Sequence, residues 1–146
     1  MSETITISIS DKPVCVEDAL KFISCQSHGA ENVFIGRVRN FNEGRKVLAI
    51  YYEIFKPLVL ALLQQFSDEA QQNYGADLRI YIYHRFGELL PGEIGMLVAV
   101  SSPHRVEAYA ANRAIVEAIK HQCPIWKKEF YSADDFKWLQ GCSINN

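Results

Sequence analysis

Cysteine pairs at C-x-x-C spacing are missing from this sequence, and no histidine stands at zinc-finger distance from a cysteine, so no structural metal site is expected. The four cysteines, Cys15, Cys25, Cys123 and Cys142, read as reduced thiols of a cytoplasmic protein. Cys123 alone sits beside chemistry-bearing residues, and it reads as a small buried packing group. No apolar run is long enough to cross a bilayer. The start Met1-Ser-Glu-Thr-Ile has no basic segment leading into an apolar one, so no signal peptide is expected. An excess of positive charge is absent as well. Lys+Arg number 15 against 17 Asp+Glu, for a formal net charge of −2. That balance excludes a broad basic face and with it a nucleic-acid partner, and it confines any anion site to a local cluster. Repeats, low-complexity runs and linkers are missing too. With 49% hydrophobic residues over 146 positions, residues 1–146 are expected to form a single domain with a substantial core.

What is present is an alternation of strand and helix patterns. Thr4 to Ile9 alternates as a strand. Val16 to Gln26 has helical periodicity, with Val16, Leu20 and Ile23 on one face. Asn32 to Arg39 predicts a strand, and the turn-forming stretch Asn40 to Gly44 leads into a second strand, Lys46 to Ile54. Pro57 opens a helix to about Tyr74, ended by Gly75, with Leu58, Leu62 and Phe66 on one face and Leu63 close by. Asp77 to Arg85 is a strand and Gly87 to Gly92 a loop. The nearly continuous apolar run Ile94 to Ser101 predicts a strand covered on both faces. Pro103, with Ser102 as cap, starts a long helix from His104 to about Gln122. Strands follow at Ile125 to Tyr131 and Phe136 to Trp138. Two hairpins interrupt the alternation, which predicts an α+β sandwich with a mixed or antiparallel sheet.

Three clusters carry chemistry. Arg37 and Arg39 are two apart on a strand and share a face, forming a clamp for phosphate or carboxylate, and Gly36 lets a ligand approach the backbone. His104 and Arg105 put cations in the first turn of a helix, against its dipole, an arrangement that suits a bound anion there. Lys120, Lys127 and Lys128 lie among Cys123, Pro124, Ile125, Trp126 and Phe130. An amine held against apolar surface loses hydration and works as an acid, base or nucleophile nearer neutral pH. Alternation separates Lys127, on the face of Ile125 and Glu129, from Lys128, on the face of Trp126 and Phe130. His104 and Lys120 are roughly 24 Å apart along one helix at 1.5 Å per residue. One small-molecule pocket can use both only if they come from two protomers, so a two-fold dimer is expected.

The ordered set Phe34-Ile-Gly-x-x-Arg39-Asn40-x-Asn42-x-Gly44, Tyr52-Glu53, His84-Arg85-x-Gly87, Ser101-x-x-His104-Arg105 and Lys120-x-x-x-Pro124-Ile-Trp126-Lys127-Lys128-Glu129 resembles the large, catalytic subunit of molybdopterin synthase. The resemblance runs from about residue 32 to Trp138. It implies an α/β hammerhead-type α+β fold and a central homodimer that becomes a heterotetramer with two small ubiquitin-like subunits. It implies sulfur transfer from the C-terminal Gly-Gly thiocarboxylate of that carrier to cyclic pyranopterin monophosphate, with no cofactor of the subunit's own. By the same resemblance Lys120 and Lys127 are catalytic. Arg39, with His104 and Arg105 of the second protomer, binds substrate; Arg37, Lys128 and Glu129 complete the site; and Phe34, Ile125 and Trp126 line it. Rival readings are a non-catalytic dimeric module that binds an anion or a peptide tail, a transferase with Cys123 as nucleophile, and a structural dimer.

Overall fold

The computed structural model describes residues 3–132 and 134–140; Cys142 and the C-terminal end at Asn146 lie outside the described residues. The elements run β1 (Ile5–Ser10), α1 (Val16–Ile23), β2 (Ala30–Arg37), β3 (Phe41–Asn42), β4 (Arg45–Lys46), β5 (Ala49–Ile54), α2 (Lys56–Tyr74), β6 (Arg79–Arg85), β7 (Gly87–Leu89), β8 (Ile94–Ser102), α3 (Arg105–Gln122), β9 (Ile125–Phe130) and β10 (Phe136–Gln140). The fold is α+β, with three helices and two four-stranded sheets among the described residues.

One four-stranded sheet has the order β1-β6-β8-β2. β1 is parallel to β6, and the other two pairings are antiparallel. Helices cover both faces. α2 and α3 enclose Ile80, Ile82, Val98 and Val100 on one side, and α1 lays Ala19 and Ile23 over Tyr81, Leu97 and Ala99 on the other. β8 is therefore buried on both faces, as its unbroken apolar run predicts. A second four-stranded sheet, β10-β9-β5-β7, is antiparallel throughout. Val38, Val47, Ile50 and Leu89 form its own small core, while Ile125 joins the main one.

Several expectations change in the structure. The strands on either side of Asn40 to Gly44 do not form a hairpin with each other. β2 pairs with β8 in one sheet, and β5 pairs with β7 and β9 in the other. The turn closes a separate two-residue hairpin, β3–β4, with Glu43 at φ 50 and Gly44 at φ 79, the left-handed pair of a tight hairpin turn. The buried stripe of α2 is Val59, Leu63, Phe66 and Ala70: Phe66 and Leu63 are buried as expected, while Leu58 is 44% exposed and Val59 takes its place. In α1 the buried pair is Ala19 and Ile23, with Leu20 outside. Gly87 to Leu89 is a short strand rather than loop. Pro103 precedes the N-cap, which is His104, and Ser102 turns its hydroxyl to the His104 backbone instead of capping the helix. No helix among the described residues is long and apolar enough to cross a membrane.

Candidate active site

The two sheets and the C-terminal end of α3 meet around a cavity of about 230 Å³. Its lining comes from several elements. The end of β2 and the segment after it supply Gly36, Arg37 and Arg39; the β3–β4 hairpin supplies Phe41 and Asn42. Tyr52 and His84 come from β5 and β6, and Lys120, Lys127 and Glu129 from α3 and β9. Ile50, Met96, Ile119 and Ile125 make the apolar part of the wall.

Strand register explains why these groups converge. β5 pairs with β9 so that Tyr52 stands opposite Lys127 and Ile50 opposite Glu129. Alternation then turns all four toward the cavity. A register shift between Gly36 and Arg37 ends regular pairing with β8 just where the chain reaches the cavity. Arg37 is anchored there by donating from Nη1 to the Gly92 carbonyl at 2.8 Å. A side chain at Gly36 would stand 3.3 Å from the Phe34 ring, so glycine keeps this stretch of floor thin.

The cavity holds four cationic side chains, Arg37, Arg39, Lys120 and Lys127, and one carboxylate, Glu129. Lys127 is only 7% exposed, and its Nζ lies 3.2 Å from Glu129 Oε2. Burial pushes the Glu129 carboxyl up. Hydrogen bonds from Asn42 and Tyr131, with the charge of Lys127, outweigh that and hold it below the ordinary carboxylate range. Tyr52 is buried against the same carboxylate, which helps push its phenol up to about 12, so it remains a neutral hydroxyl. His84 is pushed down to about 4, first by burial and then by the positive charge of Lys120. Its Nδ1 donates to the Arg85 carbonyl at 2.8 Å, which leaves Nε2 as the acceptor of a neutral ring. Its ring meets Tyr52 edge-on at 5.2 Å. The site therefore has an excess of fixed positive charge in a half-apolar enclosure, the arrangement for binding a small anion.

The expected site residues divide into three groups. Arg37, Arg39, Lys120, Ile125, Lys127 and Glu129 all line the cavity. Lys128, Trp126 and Phe34 do not. Alternation on β9 turns Lys128 and Trp126 to the outer face, where Lys128 Nζ lies 3.8 Å from the centre of the Phe136 ring and 5.5 Å from that of Trp138. Phe34 faces a separate groove between β2 and α3, beside Tyr109, Asn112 and Val116. His104 and Arg105, at the far end of α3, are exposed and also outside the cavity of their own chain. Asn42, Tyr52 and His84 line the cavity without having been singled out as site residues. All three stood within the motif; alternation on β5 and β6 pointed to Tyr52 and His84 but becomes usable only when the partner strands are known, and Asn42 on the β3–β4 hairpin meets Glu129 only on folding.

Residues 9–122 match the family described as MoaE protein. A molybdopterin synthase catalytic subunit from Synechococcus elongatus is 40% identical over 135 residues, covering 92% of this chain and 82% of the relative. One from Bacillus subtilis is 37% identical over 132 residues, covering 90% of this chain and 82% of the relative. Among solved structures, the X-ray structure of molybdopterin synthase from Staphylococcus aureus has a TM-score of 0.86 at 37% identity, covering 95% of this chain and 98% of that one.

Proposed function

The chain belongs to the MoaE protein family, and on that premise we propose that it is the catalytic subunit of molybdopterin synthase. It transfers sulfur from the C-terminal thiocarboxylate of a small carrier subunit to cyclic pyranopterin monophosphate, forming the dithiolene of molybdopterin. The observation that carries this reading is the cavity itself, where four cations face one carboxylate in a protein whose net charge is −2. Both the substrate's phosphate and the carrier's thiocarboxylate are anions that such a cluster attracts.

Arg37 and Arg39 hold the substrate's charged edge. Lys120, at the end of α3, exchanges protons or forms a transient adduct where sulfur adds to the carbon that carries oxygen. Lys127, set by Glu129, stabilises the negative charge that develops and the thiocarboxylate itself. Ile50, Met96, Ile119 and Ile125 keep water from the thiocarboxylate. The reaction takes place in the cytoplasm, and the whole chain, 1–146, serves as one domain.

His104 and Arg105 enter the site from a second copy. β2 is an edge strand of its sheet among the described residues. It starts beside the origin of α3, where Ala30 stands opposite Ser102 and Gly29 N–H donates to the Pro103 carbonyl at 3.3 Å. It ends at the cavity. Its length, about 24 Å at 3.4 Å per residue, equals the roughly 24 Å from His104 to Lys120 along α3. A two-fold partner laid antiparallel along this edge brings its own His104 and Arg105 to this cavity. Val106 and Tyr109, 64% and 62% exposed on the same end of α3, supply apolar surface for that contact.

Replacement of Lys120 tests the chemistry. Lys120→Ala is expected to lower turnover by about a hundredfold or more. Lys120→Arg keeps the charge but removes a group able to give up its proton, so it should retain substrate binding and lose turnover. Near-normal product formation by either variant overturns the assignment.

A further inference from the structure

The β3–β4 hairpin has only two residues in each strand, yet one of its side chains is buried in the cavity wall. Phe41 lines the cavity while staying 54% exposed, whereas Asn42 is buried. The amide of Asn42 has partners on both sides. Its Nδ2 donates to both oxygens of Glu129, at 3.0 and 3.1 Å, and its Oδ1 stands 3.5 Å from Arg39 Nη2. Glu129 in turn accepts from the Tyr131 hydroxyl at 2.9 Å and holds Lys127 Nζ at 3.2 Å. Behind Tyr131, the Arg45 guanidinium from β4 lies 3.7 Å from the centre of its ring and pairs with Asp135. The hairpin thus grips the site at two points.

We propose that Asn42 is a positioning residue for the transfer reaction, joining the anion-binding Arg39 to the Glu129 carboxylate that sets the Lys127 amine. This rests on the reading that Lys127 takes part in the chemistry. An amide meets both demands at this place. It donates to a carboxylate, which can only accept, and it accepts from a guanidinium, which can only donate. Aspartate would set two carboxylates against each other, and serine is too short to span them.

The arrangement has a pH signature. Glu129 is faced by Lys127 on β9, by Tyr131 just beyond it, by Tyr52 on β5 and by Asn42 on the hairpin, with Arg37, Arg39, Lys120 and the neutral His84 of β6 on the same cavity. Its carboxyl lies below the ordinary range, so it stays ionised through neutral pH and protonates only in acid. Removing the Asn42 donors lets burial push it back up. The acidic limb of turnover must then move to higher pH.

The test is Asn42→Ala in the synthase assembled with its carrier. The Glu129 titration, followed by carbon-13 NMR, is expected to move up by about one pH unit, the size of one lost hydrogen bond to a charged acceptor. The acidic limb of kcat should move with it, and kcat at neutral pH should fall about tenfold. A purely structural role would lower the active fraction without moving the limb. An unmoved limb in folded Asn42→Ala protein overturns the proposal. Should that variant fail to fold, Tyr131→Phe removes another donor to Glu129 while keeping the ring on which Arg45 of the hairpin lies: a limb moved upward supports the proposal, and an unmoved one overturns it. Lys127→Ala run alongside keeps the two readings apart, because full activity there removes the role of Lys127 whatever Asn42 does.

Discussion

Cys123 caps the C-terminal end of α3 and is fully buried in the main core. A thiol in that position packs; it does not reach the cavity, whose lining it does not join. Cys123→Ser is therefore expected to keep turnover within about twofold, while its buried hydroxyl costs about 1–3 kcal/mol of stability. Abolished activity with an unchanged melting curve would instead make the thiol a nucleophile. The two adjacent lysines show how far single residues can be read from sequence. Strand alternation alone separates Lys127 from Lys128, and the structure puts the first against Glu129 and the second on the rings of Phe136 and Trp138. Alternation does not say which face is the inner one. Lys128 and Trp126, expected in the site by resemblance, stand outside the cavity of their own chain. Asn42 was legible as a turn residue but not as a ligand of Glu129, because the two are brought together only by folding.

At the scale of elements, helix positions were legible and helix faces less so. α2 begins at Lys56, next to Pro57, and its C-cap is Gly75, as the proline and glycine require. Its buried stripe is Val59, Leu63, Phe66 and Ala70 rather than the stripe through Leu58. Leu58, Leu62 and Leu63 offer two overlapping apolar faces, and contact with β1 and α3 selects between them. Leu63→Ala should cost about 2–5 kcal/mol, the range for a large-to-small change in a core. Leu58→Ala should stay within about 0.5 kcal/mol. Chemical denaturation of the two variants measures the difference, and equal losses would contradict the observed face. The β3–β4 hairpin was read as a connection between two paired strands. Those strands belong to different sheets, which leaves the hairpin free to serve the cavity.

For the whole molecule, the separation of His104 from Lys120 along α3 makes a dimeric site testable without a structure of the dimer. A Lys120→Ala protein and a His104→Ala protein should each be nearly inactive. Mixed and allowed to exchange subunits, equal amounts should recover about a quarter of wild-type activity, since about half the dimers are hybrids with one intact pocket each. No recovery after demonstrated exchange would confine the site to one chain. The sequence by itself determined the places of the three helices and of the longer strands, the doubly covered β8, and the lysines at the end of α3 and on β9. These follow from local periodicity, composition and capping, which act over a few residues. Tertiary structure decided which strands share a sheet, which face of β9 looks inward, and that Asn42, Tyr52 and His84 join the lysines. Those outcomes depend on β5 meeting β9, and β6 meeting β8, across long stretches of chain, where a change of register by one residue would exchange inner and outer faces throughout.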